Sequence, residues 1–488
     1  MSTSLNAGLK TRHLTMMGLG SAIGAGLFLG TGVGIQAAGP AVLIAYIIAG
    51  AITVCVMQML AEMVAARPSS GTFSTYAEEA FGPWAGFLIG WLYWFMMIMI
   101  MAVEITGASA IIAAWFSISP WIPALVAIVV FTLINFAAVR NFGEFEFWFA
   151  LIKVVVIVAF LILGVALWLG LLPGTSFVGL SNVSDVGFMP NGWGGVATAL
   201  LAVAFAFGGI ELVTIAAAES EDPEVAVHSA IRTIIWRISV FYIGSVLLIV
   251  LLLPFNQIGG ASDASESPFT AVLRLANIPG AVGIMEAVIV VALLSACNTQ
   301  IYGSSRFLHN LSVRGDAPRA FSLTDARGVP LRAVIVSVIF GFVAVALQYW
   351  NPPGLLAFLL NAVGGCLIVI WFAIAFSFLR LHPRLEASGQ LTDVRMWAPS
   401  VLPWATIALA AGIVVLMLTD DGGRFQVIAV AVVVTVITVA GLIWTNTGAF
   451  KRRRADIAAN SPAAPAALDE ATADTDSTTE TTTEGPRR

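Results

Sequence analysis

Long apolar runs separated by short polar connections fill most of the chain. A helix needs about 20 apolar residues to cross the hydrocarbon core of a bilayer, so runs of this length predict transmembrane helices. The pattern predicts twelve spans, near 14–36, 40–65, 84–115, 121–140, 146–171, 193–218, 233–254, 280–305, 331–350, 353–379, 400–419 and 424–446.

The composition agrees with this pattern. Hydrophobic residues make up 59% of the chain and charged residues 10%, with a mean hydropathy of +0.94, whereas charged residues make up about 25% of an ordinary soluble domain. We therefore expect an all-α polytopic membrane protein, with a transporter domain at 14–446 between a short N-terminus, 1–13, and a C-terminal tail, 447–488. The tail contains seven acidic residues and has no apolar periodicity, which predicts disorder.

Lysine and arginine are distributed unevenly between the predicted loops. With the N-terminus in the cytoplasm, nearly all of them, from Lys10 to Arg454, fall on the cytoplasmic side, and only Arg274 and Arg424 fall on the other. The positive-inside rule therefore predicts cytoplasmic termini and an even number of spans. We expect the protein to lie in the plasma or inner membrane. The run Lys451 to Arg454 is expected to anchor to anionic lipid headgroups.

A glycine-rich stretch interrupts the first predicted span. Gly18 to Gly34 reads GLGSAIGAGLFLGTGVG and contains seven glycines, each costing roughly 1 kcal/mol in a helix interior. One interpretation is a broken helix, which survives in lipid only where protein or a polar cavity covers it and therefore marks a binding site. The other is close packing of small residues against a neighbouring helix.

The sixth span has a similar interruption. Phe207, Gly208, Gly209 and Ile210 precede Glu211, a carboxylate in mid-membrane. Spans one and six are the first members of two sets of five, and interruptions at matched positions are typical of inverted-repeat secondary transporters. The predicted repeats are 14–171 and 193–379, followed by two further helices at 400–446.

Charged residues inside the apolar runs are functional candidates, because burying charge in a membrane is costly. Lys153, one of three lysines in the chain, either exchanges a proton in a buried site or extends to the membrane surface. Glu211 either carries protons or forms a structural hydrogen bond. Glu104 either lines a pocket opposite the breaks or pairs with another helix. We assign no function to Glu286, which is expected near the outer interface.

Other residues add little chemistry. Phe207 either covers a small substrate or simply packs, and Asn298, Thr299 and Gln300 either bond across helices or face the transport path. The three cysteines and four histidines form neither metal-binding spacings nor a disulfide framework. We expect no cofactor, no metal and no nucleic acid partner.

Several long motifs, in the same order, resemble the amino acid permease family of the amino acid-polyamine-organocation (APC) superfamily, whose members have a LeuT-type fold. They are LKTRHLTMMGLGSAIGAGLFLGTG (9–32), AGPA (38–41), PSSGTFSTYA (68–77), GWLYW (90–94), GEFEFWFALIKV (143–154), FAFGGIELVTIAAAESEDP (205–223), RTIIWRIS (232–239) and SSRFLHNLSVRGDAP (304–318). MPNG (189–192) and TIAAAES (214–220) resemble γ-aminobutyrate permeases, whereas Gly-Ala-Gly at 24–26 is closer to the general and aromatic amino acid permeases.

The resemblance implies twelve helices in a 5+5 inverted repeat and proton-coupled amino acid import. By motif position, the first break would bind the substrate carboxylate, through Ser21, Ile23, Gly24, Ala25 and Gly26. The second would border the amine and side chain, through Phe207, Gly208 and Ile210. Lys153 would replace the sodium ion of sodium-coupled relatives.

These observations together predict a secondary active transporter, not an enzyme, importing γ-aminobutyrate or a neutral or aromatic amino acid with protons by alternating access. Glu104 is added as a substrate-binding candidate, and Lys153 and Glu211 are the proton-coupling candidates. An amino acid/polyamine exchanger is the alternative. Expected partners are the amino acid, protons and the lipid bilayer.

Overall fold

The computed structural model describes residues 23–67, 72–136, 142–209, 231–232, 234–258, 267–325, 328–419 and 421–459. The part of the chain that it describes is helical and contains no strand. Sixteen α-helices are labelled in chain order: α1 Thr31–Ala38, α2 Val42–Ala66, α3 Thr72–Phe81, α4 Pro83–Phe116, α5 Trp121–Phe136, α6 Phe142–Trp168, α7 Ser181–Ser184, α8 Gly192–Ala206, α9 Gly244–Leu252, α10 Pro268–Leu275, α11 Ala281–Arg314, α12 Leu331–Trp350, α13 Leu355–Ala387, α14 Leu402–Met417, α15 Asp421–Asn446 and α16 Gly448–Ala459.

Eight helical segments of this described part are long and apolar enough to cross a membrane, and three shorter apolar helices, α5, α8 and α14, accompany them. This confirms an all-helical polytopic membrane protein. The first segment, Gly26–Ala66, covers two predicted spans. Within it, Gly39 adopts φ 63° and Pro40 follows in a short 3-10 turn, which divides α1 from α2. The count of twelve spans and the inverted repeat stay predictions.

Helix α4 forms the centre of the helical bundle. It begins at Pro83, directly after Gly82 at φ 96°, and ends where Ser117 turns into the left-handed region at φ 51°. Proline suits the first turn of a helix because its missing N–H has no partner there in any case. Helix α4 is apolar on all its faces. The helices that pack against it are α3, α5, α11, α12, α13 and α15. A helix that is apolar all round is typically buried in this way.

Arginines of α16 dock on the protein. Arg454 forms salt bridges with Glu78 of α3, at 2.9 Å, and with Asp316, at 3.1 Å, just beyond the end of α11. Arg314 also pairs with Glu78, at 2.7 Å. Arg453 donates to the backbone oxygens of Ala317 and Ser312. Two of the four basic residues predicted to contact lipid headgroups therefore bond to other segments of the protein.

The same helix corrects the expected extent of the disordered tail. We predicted disorder from residue 447, but α16 is helical from Gly448 to Ala459. Composition missed this helix because its stability comes from contacts with distant segments, which local periodicity does not report. The rest of the tail, 460–488, lies outside the described residues.

Helix α2 is tied to the segment that follows α13. Glu62, which is fully buried, accepts a hydrogen bond from the Met396 backbone N–H at 2.7 Å, and its other oxygen lies 2.5 Å from His382 Nδ1. The Gln58 side chain donates to the Arg395 backbone oxygen at 2.9 Å. A buried carboxylate is stable only with such partners, so these bonds hold α2 against the chain after α13.

Candidate functional site

The described chain begins at the predicted first break. Ile23 and Gly24 are not helical, the helix begins at Ala25, and a π-helical turn over Gly26–Gly30 leads directly into α1. The Gly24 backbone oxygen accepts from Leu27 and Phe28 N–H at 3.2 and 3.1 Å. The first N–H groups of a helix have no partner within it, so this start presents donors and the positive end of a dipole. Ser21 lies outside the described residues.

The glycines of this segment also form a packing stripe against α8. Gly26, Gly30 and Gly34 are spaced by four and lie on one face. A Cβ on Gly26 would lie 2.5 Å from Ala206 Cα, and a Cβ on Gly30 would lie 3.4 Å from the Ala202 oxygen. The described part of the glycine-rich stretch therefore contains a helix start at Ala25, and its glycines allow close helix contact; a break within the first span stays a prediction.

The second predicted interruption is a helix end. Helix α8 stops at Ala206, the N–H groups of Phe207 and Gly208 bond back to Ala204 and Phe205, and Gly209 adopts φ 87°. Ile210 and Glu211 lie outside the described residues. Because Gly26 packs on Ala206, the start of the first helix and the end of α8 lie side by side.

Glu104 on α4 reaches the first break. Both of its oxygens lie 3.2 Å from the Ala25 backbone nitrogen, and the residue is 3% exposed. A Cβ on Gly24 would lie 2.6 Å from Glu104 Oε1. Glu104 therefore bonds to the start of another helix, which is one of the two expected alternatives; its place in a substrate site stays a prediction.

Lys153 on α6 is buried inside the protein, with 1% of its surface exposed. Its Nζ makes no hydrogen bond with any residue of the described ranges, and its charge interacts with the Glu104 carboxylate. The structure thus places Lys153 in the interior, not at the membrane surface. Its role in proton coupling stays a prediction.

Phe207 belongs to an aromatic cluster that the sequence did not reveal. Its ring centroid lies 5.1 Å from that of Tyr242 and 6.1 Å from that of Tyr46. Thr31 donates to the Leu27 oxygen and lies 2.9 Å from the Tyr46 hydroxyl, so the Tyr46 hydroxyl is the donor of that second bond. In the sequence, this cluster is indicated only by tyrosines deep inside apolar runs, because its three rings come from separate helical segments.

Three further polar residues of the apolar runs have partners on other segments. Asn298, expected either to bond across helices or to face the transport path, accepts from Asn135 Nδ2 at 2.8 Å. Glu286 accepts from Trp115 Nε1 at 2.8 Å. Arg237, assigned by charge pattern to a membrane surface, is fully buried, and its charge interacts with Tyr242. The sequence pattern missed Arg237 because it stands at the edge of an apolar run.

The structure brings together the start of the first helix, the end of α8 with Phe207, and the buried Glu104. Comparisons with known proteins bear on the identity of this arrangement. The sequence model described as amino acid permease matches residues 13–457.

Three curated relatives cover nearly the whole chain. The aromatic amino acid transport protein AroP of Corynebacterium glutamicum is 62% identical over 91% of this chain and 96% of its own length. The gamma-aminobutyric acid permease of Bacillus subtilis is 40% identical over 94% of this chain and 97% of its own length. A probable GABA permease of Pseudomonas aeruginosa is 42% identical over 91% and 93%. The predicted resemblance is confirmed, and the chain belongs to the amino acid permease family of membrane proteins.

Proposed function

We propose that this protein is a secondary active transporter that imports an aromatic amino acid together with protons. One observation carries the proposal: the helix start at Ala25 and the helix end at Ala206 lie side by side in the protein interior, and the buried Glu104 carboxylate bonds to that helix start. Paired helix interruptions of this kind are typical of transporters that bind substrate near the bilayer midplane.

The substrate carboxylate would bind at the first break, where backbone N–H groups and the positive helix end favour an anion. We assign this role to Ser21, Ile23, Gly24, Ala25 and Gly26.

The amine and side chain of the substrate would lie at the second break. We assign this part of the site to Phe207, Gly208 and Ile210. Glu104 completes the proposed site.

An aromatic substrate is favoured over γ-aminobutyrate. The relative named for aromatic amino acid transport is 62% identical, whereas the relatives named for γ-aminobutyrate are 40–42% identical. Phe207, Tyr46 and Tyr242 form an aromatic wall beside the second break, and aromatic rings attract other aromatic rings beyond simple area burial. γ-Aminobutyrate is the second candidate, supported by those relatives alone.

Proton coupling is assigned to Lys153, with Glu211 as the second candidate. In alternating access, a bundle containing the interrupted helices moves against a scaffold and opens the site to one side at a time. A proton shifts this equilibrium only if it binds one state more tightly than the other. A buried lysine fulfils this condition when the two states hydrate it differently. We further propose a plasma or inner membrane location with both termini in the cytoplasm, as the charge distribution predicts.

The test is uptake by purified protein in proteoliposomes. Radiolabelled phenylalanine, tyrosine, tryptophan and γ-aminobutyrate are offered with and without an imposed pH gradient. Accumulation of an aromatic amino acid that depends on the gradient supports the proposal. Exchange without net accumulation, at the same rate in both conditions, would instead identify an amino acid exchanger.

Lys153→Ala tests the coupling residue, with Lys451→Ala as the matched control, because the Lys451 side chain on α16 is exposed. We expect Lys153→Ala to abolish the effect of the pH gradient on uptake while substrate binding stays detectable, and Lys451→Ala to behave as wild type. Gradient-driven accumulation at the wild-type level in Lys153→Ala would remove this lysine from the mechanism.

A further inference from the structure

A carboxylate of the protein itself already bonds to the helix start at the first break. We propose that Glu104 occupies, in this conformation, the position of the substrate carboxylate, and that a bound amino acid displaces it. This inference rests on the proposed function, because it assigns a competitor to the proposed carboxylate site.

The contacts at Ala25 support this assignment. Both Glu104 oxygens lie within 3.2 Å of a single backbone N–H, that of Ala25, the first helical residue. Helical structure continues from there through the π-helical turn to Ala38, so the donor stands at the positive end of a helix dipole. An amino acid carboxylate would use the same donor, because free N–H groups at a helix start bind anions.

The space around this donor is limited. Glu104 is 3% exposed, and the gap between Gly24 and Glu104 Oε1 is too small even for a methyl group, since a Cβ on Gly24 would lie 2.6 Å from that oxygen. A substrate carboxylate bonded to the Ala25 N–H would lie against the Glu104 carboxylate, and the two negative charges would repel each other strongly in a buried site of low dielectric. Glu104 and the substrate therefore cannot both bond to the Ala25 N–H.

A second position is available to the displaced carboxylate. The titratable groups facing Glu104 in the described part of the protein are Lys153 of α6, Tyr242 of the π-helical turn before α9 and Cys297 of α11. Lys153 is the cation among these three, and its Nζ has no hydrogen-bond partner within the described ranges. Displacement would therefore move the Glu104 carboxylate from the Ala25 N–H to the Lys153 ammonium. Substrate binding would then give Lys153 a carboxylate partner, because the Glu104 side chain moves from one group to the other.

The inference is tested with Glu104→Gln, which removes the competing charge and keeps the side-chain size. Binding of phenylalanine and of phenethylamine, which lacks the carboxylate, is measured to purified protein in nanodiscs. For phenylalanine we expect a dissociation constant lower by about tenfold. In the variant the substrate no longer has to break the charge-assisted hydrogen bond between Glu104 and the Ala25 N–H, and one such bond is of this magnitude. Phenethylamine binding should not tighten, because this amine does not compete for the Ala25 N–H.

Glu62→Gln is the matched control. Glu62 is another buried carboxylate that accepts a backbone N–H, that of Met396, but it lies outside the proposed site. We expect its phenylalanine affinity to equal that of wild type. Should Glu104→Gln not fold, Glu104→Asp provides the same test, because its shorter side chain withdraws the carboxylate from Ala25 while keeping the charge.

The outcomes separate this inference from the function on which it rests. Displacement is supported if phenylalanine binds more tightly to the Glu104 variant than to wild type, while the Glu62→Gln control binds it as wild type does. Unchanged or weaker phenylalanine binding in a folded Glu104 variant, with wild-type uptake intact, overturns it. If wild type takes up no amino acid in proteoliposomes, the proposed function fails first.

Discussion

The contact between α13 and α8 offers a sharp test of how the second interruption is held in place. Gly364 of α13 faces the backbone of α8: a Cβ added there would lie 2.1 Å from the Leu201 oxygen and 2.8 Å from its carbonyl carbon. Gly364→Ala therefore forces two helix backbones apart. The obstacle is a backbone oxygen held in the α8 hydrogen-bond ladder, so no flexible side chain can move aside.

The magnitude follows from the geometry. Ordinary contact begins at 3.4 Å, so the helices must separate by more than 1 Å at this point, from 2.1 Å. Overpacking of this kind costs about 3 kcal/mol at the upper end of its usual range. Replacing an interior helical glycine by alanine returns roughly 1 kcal/mol through helix propensity. The net expectation is a destabilisation of about 2 kcal/mol.

The assay is the apparent melting temperature of purified protein, measured at one heating rate, together with uptake. Gly412→Ala is the control, because Gly412 lies inside α14 and a Cβ there would meet nothing within 4 Å. We expect Gly412→Ala to match or exceed wild type and Gly364→Ala to melt at least about 2–4 °C lower. Equal stability of the two variants would refute the close approach of α13 to α8.

Three further predictions follow from single contacts. Tyr46→Phe removes the hydroxyl that donates to Thr31, and we expect a loss of about 1 kcal/mol in unfolding free energy, read as a lower apparent melting temperature. Arg454→Ala should destabilise the protein by about 1 kcal/mol, whereas Arg452→Ala, on the exposed side of α16, should not; equal melting of both variants would contradict the docking of α16. Burial raises the pKa of Asp316, so the folded protein binds this proton more tightly than the unfolded chain. Stability should therefore fall as pH rises from about 4 toward the raised pKa, and Asp316→Asn should flatten this dependence in melting curves.

Much of the helical architecture could be predicted from apolar run lengths. The predicted spans 331–350 and 424–446 coincide closely with Leu331–Trp350 and Asp421–Asn446, because a run of apolar residues in a membrane protein has few alternatives to a helix. Helices α4, α11 and α13 extend further than their predicted spans. Span predictions stop where residues become polar, whereas a helix stops only at a capping signal such as Gly315, at φ 95° after α11.

The candidate site could be predicted in its residue types more than in its contacts. Gly-rich interruptions and the charges Glu104 and Lys153 stand out in any apolar run, because they are costly there. The bond from Ala25 to Glu104 spans 79 positions in the chain, and no local pattern reports such a contact. The aromatic cluster around Phe207 was missed for the same reason.

By itself, the sequence determined the class of this protein, the position of most helices and the two glycine-rich places where one helix begins, at Ala25, and another ends, at Ala206. These properties depend on local composition, because the apolar or polar character of a stretch of sequence largely decides whether that stretch lies in lipid or in water. Tertiary structure alone decided which face of the glycine stripe meets α8, that Glu104 bonds to Ala25, and that Arg454 docks on Glu78 and Asp316. The physical reason is that a helix fixes the direction of its side chains, whereas the partner opposite each one depends on how separate helices pack.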